Sequence, residues 1–191
     1  MPGGTRTWLA LTALLAATGC GGGDPANPNE RADRPADPPP GWRTFRNAAA
    51  GFTIAIPRRW TARMKSTGTL IRSNDRLLVI TVGVDRGAEG RRTPPGEYAH
   101  RTLEALPDFE GSVASRTRKV RGSPYRSARV DGSGTIRTSK RPQRIMVAAF
   151  QRPGHVEYVL VAFSNPKVPR GLFEPRIRRI LRSFRGQPRP S

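Results

Sequence analysis

Few side chains in this sequence have the types and spacing that acid–base, nucleophilic or metal chemistry needs. The chain contains two histidines, His100 and His155, and one cysteine, Cys20. The histidines are far apart in the sequence, and neither has the closely spaced His or Cys partner of a zinc site. The sequence therefore predicts no metal ion and no cofactor.

Three acidic residues could be considered as catalytic carboxylates. Glu104, Asp108 and Glu110 surround Pro107, and a pair of carboxylates is what glycoside hydrolysis requires. Carboxylates at the end of a helix are more often simply solvated, and Pro107 marks such an end. We therefore expect that the protein is not an enzyme.

The glycine-rich stretch 131–134 matches no catalytic or cofactor motif. It lacks the glycine spacing of a nucleophile elbow, and Arg137 stands where a dinucleotide-binding loop has its third glycine. We expect a bend or bulge in a strand here. Trp60 could stack on a sugar ring, but a tryptophan that closes an apolar strand is more often part of the core.

The single cysteine belongs to a targeting pattern. Cys20 follows an apolar run, Trp8 to Gly19, that is too short for a membrane span and has the length of a signal-peptide core. The stretch resembles the lipobox of bacterial lipoproteins, in which the cysteine carries a diacyl lipid and becomes the first residue of the mature chain. We expect residues 1–19 to be removed and Cys20 to hold the exported protein at the cell membrane. The alternative is an ordinary secretory signal that leaves a free thiol.

A tether follows the cysteine. Residues 20–41 are rich in Gly, Pro and Asp and contain no apolar residue larger than Ala or Pro, so they cannot bury enough surface to fold. At about 3.1 Å per residue, a Pro-rich chain of this length reaches up to roughly 60 Å. We therefore divide the chain into a signal peptide (1–19), a disordered tether (20–41), a globular domain (42–185) and a polar tail (186–191).

The charge balance is strongly basic. The chain carries 34 basic and 14 acidic residues, a formal net charge of +20 at pH 7. The tether is slightly acidic, so the surplus belongs to the globular domain. Such a surplus suggests an anionic partner such as membrane headgroups, a wall polymer or nucleic acid. The alternative is the codon bias of a GC-rich genome, which favours Arg over Lys but does not explain the shortage of acidic residues.

Two groups of basic residues are the candidates for binding an anion. One group lies in the middle of the chain, and the other lies on a helix predicted over Val168–Phe184, whose apolar face is expected to pack on a sheet rather than on a membrane. The candidate anion-binding residues are Arg116, Arg118, Lys119, Arg121, Arg176, Arg178, Arg179 and Arg182.

The elements that must position these residues are mostly strands. Alternating or β-branched apolar runs predict strands over 42–45, 52–56 and 77–84, weaker polar strands over 109–120 and 125–136, and a hairpin of 145–150 with 156–163. A mid-chain helix is predicted with Thr93 as its N-cap, Pro94 at its first position and its end at Pro107.

The order of these elements resembles the PsbP-like domain. The resemblance rests on Gly51-Phe-Thr-Ile-Ala-Ile-Pro-Arg-Arg-Trp60, on the strand Tyr158–Phe163 and on the helix ending Ile180-Leu-Arg-Ser-Phe184. It runs from about residue 42 to 185 and is similar in style to the actinobacterial lipoproteins of the LpqN kind, which are related to DcrB. It implies an α+β fold, an antiparallel β-sheet flanked by helices in an α/β/α sandwich. It implies no chemistry, because members serve as accessory, binding or assembly proteins.

Two functions stay open at this point. The first is a membrane-anchored, non-enzymatic binding or assembly module that contacts another protein of the cell envelope. The second is an electrostatic adaptor whose arginine-rich surface binds anionic lipid or cell-wall polymer. Nucleic acid is not expected as a physiological partner, because an exported lipoprotein rarely meets it.

Overall fold

The computed structural model describes residues 37–65, 68–85, 87, 92–107, 109–114, 116–136, 141–151 and 157–186. The predicted signal peptide, Cys20, most of the tether, Asp108 and His155 lie outside the described residues. Among the described residues, no helix is both long enough and apolar enough to cross a membrane.

A small sheet of three strands is built from the two ends of the globular domain. Strand β1 (Trp42–Asn47) pairs antiparallel with β2 (Phe52–Pro57), and β11 (Arg185–Gly186) pairs with the other edge of β2. Strands β1 and β2 were predicted from their apolar spacing. Strand β11 has no signal in the sequence, and it extends the described fold one residue into the segment predicted as a tail.

A large antiparallel sheet holds the remaining strands. Their order is β3-β4-β5-β10-β9-β8-β6, and β7 pairs with β8 at the same edge as β6. The predicted hairpin is confirmed as β9 and β10, whose connecting residues 152–156 lie outside the described part. The strands are β3 (Thr61–Lys65), β4 (Gly68–Arg72), β5 (Leu78–Asp85), β6 (Phe109–Val113), β7 (Arg118–Lys119), β8 (Arg126–Ile136), β9 (Arg141–Gln151) and β10 (Glu157–Ser164).

Two helices cover opposite faces of the large sheet. Helix α1 (Pro95–Glu104) packs on the outer face, and α2 (Arg170–Ser183) packs with the small sheet on the inner face. Strand β9 shows the division, because Ile145, Val147 and Ala149 join the cluster under α1 while the alternate residues join the cluster under α2. The predicted α+β fold, an antiparallel sheet flanked by helices, is confirmed.

The predicted start of α1 was wrong by one position. Helix α1 begins at Pro95, Pro94 is the N-cap residue, and no side chain caps the helix. Thr93 is therefore not the N-cap. Either proline suits the first helical position, because its missing N–H would have no partner within the helix there, so the sequence could not distinguish them.

The glycine-rich stretch 131–134 forms neither a bend nor a bulge. Its residues pair in continuous register with β9, from Asp131 opposite Met146 to Gly134 opposite Gln143. The glycine serves the close approach of strands: a Cβ on Gly134 would lie 2.3 Å from the carbonyl oxygen of Glu110 in β6. The motif is therefore a packing device in a regular strand.

The main core lies between the inner face of the large sheet, the small sheet and α2. Phe184, which follows α2, stacks on Phe150 of β9 with ring centres 4.7 Å apart and on Phe52 of β2 at 5.6 Å. The apolar face predicted for the final helix is buried here, through Phe173, Ile177, Ile180 and Leu181. The alternative in which this face lies on a membrane is therefore wrong. Trp60 also belongs to this core, as predicted.

Candidate anion-binding groove

The inner face of β8 is polar where the neighbouring strand β9 is apolar. Ser127, Arg129 and Asp131 point to this face, because they stand opposite residues of β9 that join the cluster under α2. Among the described residues, the cluster under α2 includes none from β8. The flank of α2 and the uncovered edge of the sheet therefore enclose a cleft instead of a dry core.

We call this cleft the arginine groove. It has a volume of about 490 Å³ and lies between the second half of α2 and the chain from β7 to β8. Its floor is apolar, because Val120 and Leu181 are both buried. Its lining residues are Arg118, Lys119, Val120, Arg121, Arg129, Arg178, Leu181 and Arg182.

The groove brings together both of the basic groups that were predicted to bind an anion. Five of the eight candidates line it, and they come from segments about 60 residues apart in the chain: Arg118, Lys119, Arg121, Arg178 and Arg182. Arg116 does not line it, although it lies on the same wall two residues before Arg118. The fold therefore brings two clusters that are separate in the sequence into one site.

Two other candidates on α2 do not line the groove. The guanidinium of Arg179 lies over the ring of Trp42, 5.4 Å from its centre. Arg176 lies near Asp75, and its charge contributes to lowering the pKa of that carboxyl group. The reason is helical phase: each residue turns about 100° around the axis, so 176 and 179 leave the helix on other sides than 178 and 182.

A tight turn holds one wall of the groove against the other. The N–H of Ser123 donates to the carbonyl oxygen of Val120 at 3.3 Å, and Gly122 between them has a φ of 77°, which favours glycine. A Cβ on Gly122 would lie 3.4 Å from Cγ of Arg182. The side chain of Arg182 therefore packs along the turn that carries Arg121, which closes one end of the groove.

The charge in the groove is largely uncompensated. No carboxylate is among the residues that line it, which all belong to the described part of the chain. Arg178 pairs with Glu174 at 2.8 Å, and Arg129 lies 3.8 Å from Asp131. The side chains of the other four cationic residues form no hydrogen bond or ion pair within the described residues: Arg118, Lys119, Arg121 and Arg182.

Sequence reasoning missed Arg129. This residue is only 8 % exposed, and its Nη1 lies 3.9 Å from Sδ of Met146. The signal that could have found it is the alternation of β8: Val130 is buried under α1, so both of its neighbours must point to the inner face. Guanidinium groups at the edge and the bottom of a half-open cleft can form charge-assisted hydrogen bonds to a phosphate or carboxylate.

A second cleft continues along α2. We call it the mixed-charge groove; its volume is about 480 Å³, and it shares Arg118 with the arginine groove. Arg144 lines this groove, but its guanidinium already donates hydrogen bonds to the carbonyl oxygens of Pro166 and Val168 at 2.7 and 2.5 Å. The charged residues of the lining are Arg116, Arg118, Asp131, Arg144, Arg170 and Glu174.

The other residues considered for chemistry do not form a site among those described. His100 lies 3.3 Å from Glu104, four residues later on the surface of α1. Glu110 is exposed on the edge strand β6. Within the described residues, no three side chains of His, Cys, Asp and Glu are grouped so that they could hold a metal ion.

Comparison with known proteins identifies similar folds and gives no information about chemistry. No protein-family model and no curated protein sequence matches the chain significantly. Among solved structures, a variant of the protein Mog1 has a TM-score of 0.54 at 8 % identity, over 76 % of this chain and 95 % of its own. A protein from Bacteroides thetaiotaomicron has a TM-score of 0.51 at 9 % identity over 78 % of this chain, which spans about half (50 %) of that protein.

LpqN of Mycobacterium tuberculosis, described as involved in cell envelope biogenesis, is also similar in structure. Its TM-score is 0.42 at 13 % identity, over 79 % of this chain and 81 % of its own. At identities this low, similarity in structure concerns the fold alone. The function has to be argued from the groove.

Proposed function

We propose that this protein is a lipid-anchored, non-enzymatic module of the cell envelope that binds an anionic envelope component in the arginine groove. The observation that carries the proposal is the lining of that groove, where cationic side chains from β7, β8 and α2 converge over an apolar floor without a carboxylate. Among the described residues, this lining contains no carboxylate, imidazole, hydroxyl or thiol beside its arginines and the exposed Lys119, so the groove is suited to holding a ligand and not to transforming it.

The concave shape of the groove favours binding over general surface attraction. Exposed charges are screened over about 8 Å at physiological salt, whereas charges in a cleft with low-dielectric walls focus their field. Arg129 adds a cation at the bottom of the cleft that bulk water barely reaches. A phosphate or carboxylate that enters the groove therefore meets several donors at once.

The anchor belongs to the same proposal. Residues 1–19 act as the signal peptide and Cys20 carries the lipid that keeps the domain on the outer face of the cell membrane. The tether joins the domain next to α2, because Trp42 lies against Arg179 of that helix. Tethering raises the local concentration of the groove near the membrane to roughly millimolar, so even weak contacts with envelope anions give appreciable binding.

Vesicle binding tests the groove. We would add the mature chain with Cys20→Ser to vesicles of phosphatidylcholine with and without phosphatidylglycerol and measure binding by flotation. The groove variant is Arg118→Gln with Arg121→Gln and Arg182→Gln. The control is Arg59→Gln with Arg63→Gln and Arg72→Gln, which removes the same charge from exposed positions outside the groove.

The two variants are expected to behave differently. At about 1 kcal/mol for each arginine near an anionic surface, the groove variant should lose roughly 100-fold in affinity at low salt, and the control much less. An equal loss in both variants would mean that only net charge matters and would overturn the groove. Binding to the vesicles that persists at high salt in both variants would indicate apolar contact with the bilayer and would contradict electrostatic binding in the groove.

A substitution at the cysteine tests the anchor separately. Cys20→Ala is expected to leave the protein as an uncleaved precursor or to release it from the membrane. Fractionation of cells with an antibody against the globular domain measures both outcomes. Correct processing with full retention in the membrane would contradict lipidation.

A further inference from the structure

We infer that the ligand of this protein is a linear polyanion that lies along α2 and occupies both grooves at once. This inference rests on the proposed function, since it names the class of anion that the arginine groove binds. Three observations support it. The two grooves are aligned along one helix, cationic side chains recur on both walls, and the two carboxylates in the linings already pair with arginines of the protein.

The two grooves are consecutive parts of one trough. The residues that α2 contributes at its charged flank follow one another every four positions: Arg170 and Glu174 line the mixed-charge groove, and Arg178 and Arg182 line the arginine groove. Residues four apart are offset by only about 40° around a helix, so this flank is one stripe about 18 Å long that winds gradually around α2. Arg118 lines both grooves and stands where they meet.

The opposite wall repeats cations in the same direction. Between β6 and β7 the chain stays along the edge of β8, because the N–H of Ala114 donates to the carbonyl oxygen of Asp131 at 2.9 Å. Thr117 faces α1, where its side chain is within 3.4 Å of the position of a Cβ on Gly96. In an extended chain the neighbours of Thr117 point the other way, which sends Arg116 and Arg118 into the trough.

The two grooves contain more unpaired cationic side chains than one small anion could contact. Over both linings, with Arg118 counted once, nine cationic residues face two carboxylates. Those carboxylates are already paired, Glu174 with Arg178 and Asp131 with Arg129. Within the described residues, six cations of the trough have no hydrogen bond or ion pair from their side chains: Arg116, Arg118, Lys119, Arg121, Arg170 and Arg182.

A chain of linked anionic groups fits this arrangement better than separate ones. Once the first group is bound, each further group binds at a high effective concentration and loses little additional translational freedom. A single headgroup or orthophosphate can engage only the cations around it. The length of the trough therefore selects a polymer whose anionic groups repeat along a flexible backbone.

The test compares inorganic phosphates of increasing length on the mature chain with Cys20→Ser. Isothermal titration calorimetry would measure the binding of orthophosphate, tripolyphosphate and a polyphosphate long enough to span both grooves. Affinities are expressed per mole of phosphate, which removes the statistical advantage of a longer chain. The long polyphosphate is expected to bind at least about tenfold more tightly than tripolyphosphate.

Three double variants, each lacking two exposed arginines, locate the effect. Arg116→Gln with Arg170→Gln alters only the mixed-charge groove and should weaken the long polyphosphate about tenfold or more, while changing tripolyphosphate binding less than about twofold. Arg121→Gln with Arg182→Gln alters only the arginine groove and should weaken both ligands. Arg59→Gln with Arg63→Gln is the control and should leave both nearly unchanged.

The outcomes separate this inference from the proposed function. If Arg121 and Arg182 matter but neither length nor the Arg116 and Arg170 pair does, the polyanion inference fails and the anion-binding groove stands. The same conclusion follows if anionic vesicles bind with groove dependence and polyphosphates of every length bind weakly. If all three double variants behave alike, both the inference and the groove fail. Far-UV circular dichroism and the melting temperature establish that each variant is folded.

Discussion

The guanidinium of Arg129 lies 3.8 Å from the carboxylate of Asp131, and both side chains leave β8 on the face towards α2. Arg129 lines the arginine groove, and Asp131 lines the mixed-charge groove. The distance is too long for a hydrogen bond, so the carboxylate compensates the buried cation only in part. Arg129 therefore remains available to an anion that enters the groove.

This relationship predicts that Asp131→Asn will strengthen anion binding while weakening the fold. The variant leaves the buried guanidinium without its nearby carboxylate, which should lower the free energy of unfolding by about 1 to 3 kcal/mol. A bound anion then takes the place of that carboxylate, and tripolyphosphate affinity should rise about tenfold. Calorimetric titration and thermal unfolding with and without tripolyphosphate measure the two effects.

Glu174→Gln is the matched control for the loss of stability alone, because Glu174 pairs with the exposed Arg178 at the helix surface. Its effect on stability should stay within about 0.5 kcal/mol. Unchanged tripolyphosphate affinity in Asp131→Asn would contradict a role for Arg129 in binding.

The turn that closes the arginine groove depends on a glycine. Gly122→Ala forces an L-residue into a left-handed conformation at φ 77° and should lower the free energy of unfolding by about 1 to 2 kcal/mol. The cause is the backbone and not a clash, since the new Cβ would lie 3.4 Å from Arg182, an ordinary contact. Urea unfolding measures the difference.

Gly171→Ala is expected to raise the free energy of unfolding, whereas Gly122→Ala lowers it. Gly171 lies in α2, and a Cβ there would meet nothing within 4 Å. Alanine has the higher helix propensity, so this variant should gain roughly 0.5 to 1 kcal/mol. A loss of the same size in both glycine variants would refute the conformational explanation for Gly122.

Most elements of the fold and the pairing within one hairpin could be predicted from the sequence, but the pairing between distant strands could not. The apolar runs 145–150 and 156–163 on either side of a five-residue turn predicted a hairpin, and the spacing of Phe173, Ile177 and Leu181 predicted the buried side of α2. Nothing in the sequence indicated that β11 would pair with β2, since two residues carry no periodicity. Pairing between distant strands depends on packing across the whole core, which no local pattern contains.

Most basic residues of the candidate site could be predicted from the sequence, but the way they meet in the groove could not. Both basic clusters were visible, but their meeting depended on which flank of α2 turned towards β8. That is why Arg176 and Arg179 were included and do not line the groove. Arg129 was overlooked because one arginine in a polar strand looks like any exposed residue until the sheet shows which face it occupies.

The aromatic stack at the end of α2 should be the most sensitive point of the core. Phe184 is 1 % exposed and contacts the rings of four other aromatic residues, so Phe184→Ala should lower the free energy of unfolding by about 3 to 5 kcal/mol. Leu172→Ala, on the exposed side of the same helix, should change it by less than about 1 kcal/mol. Similar losses in both variants, measured by urea unfolding, would contradict this account of the core.

Asp75 makes the stability of the fold depend on pH. The hydroxyl of Ser73 and then the N–H of Leu77 donate to its carboxylate, and together with the charge of Arg176 they hold its pKa below the ordinary value of 3.8. Because the pKa is lower in the folded state, the ionised carboxylate contributes stability that is fully present above about pH 4 and is lost as the pH falls through the folded pKa. Asp75→Asn should therefore be less stable than the wild type at pH 7, and the difference between the two proteins should shrink as the pH falls below the ordinary carboxyl pKa of 3.8. Urea unfolding at pH 7, 5 and 3 measures the gap; a gap of constant size at all three values would mean that Asp75 stabilises the turn through its shape and not through its charge.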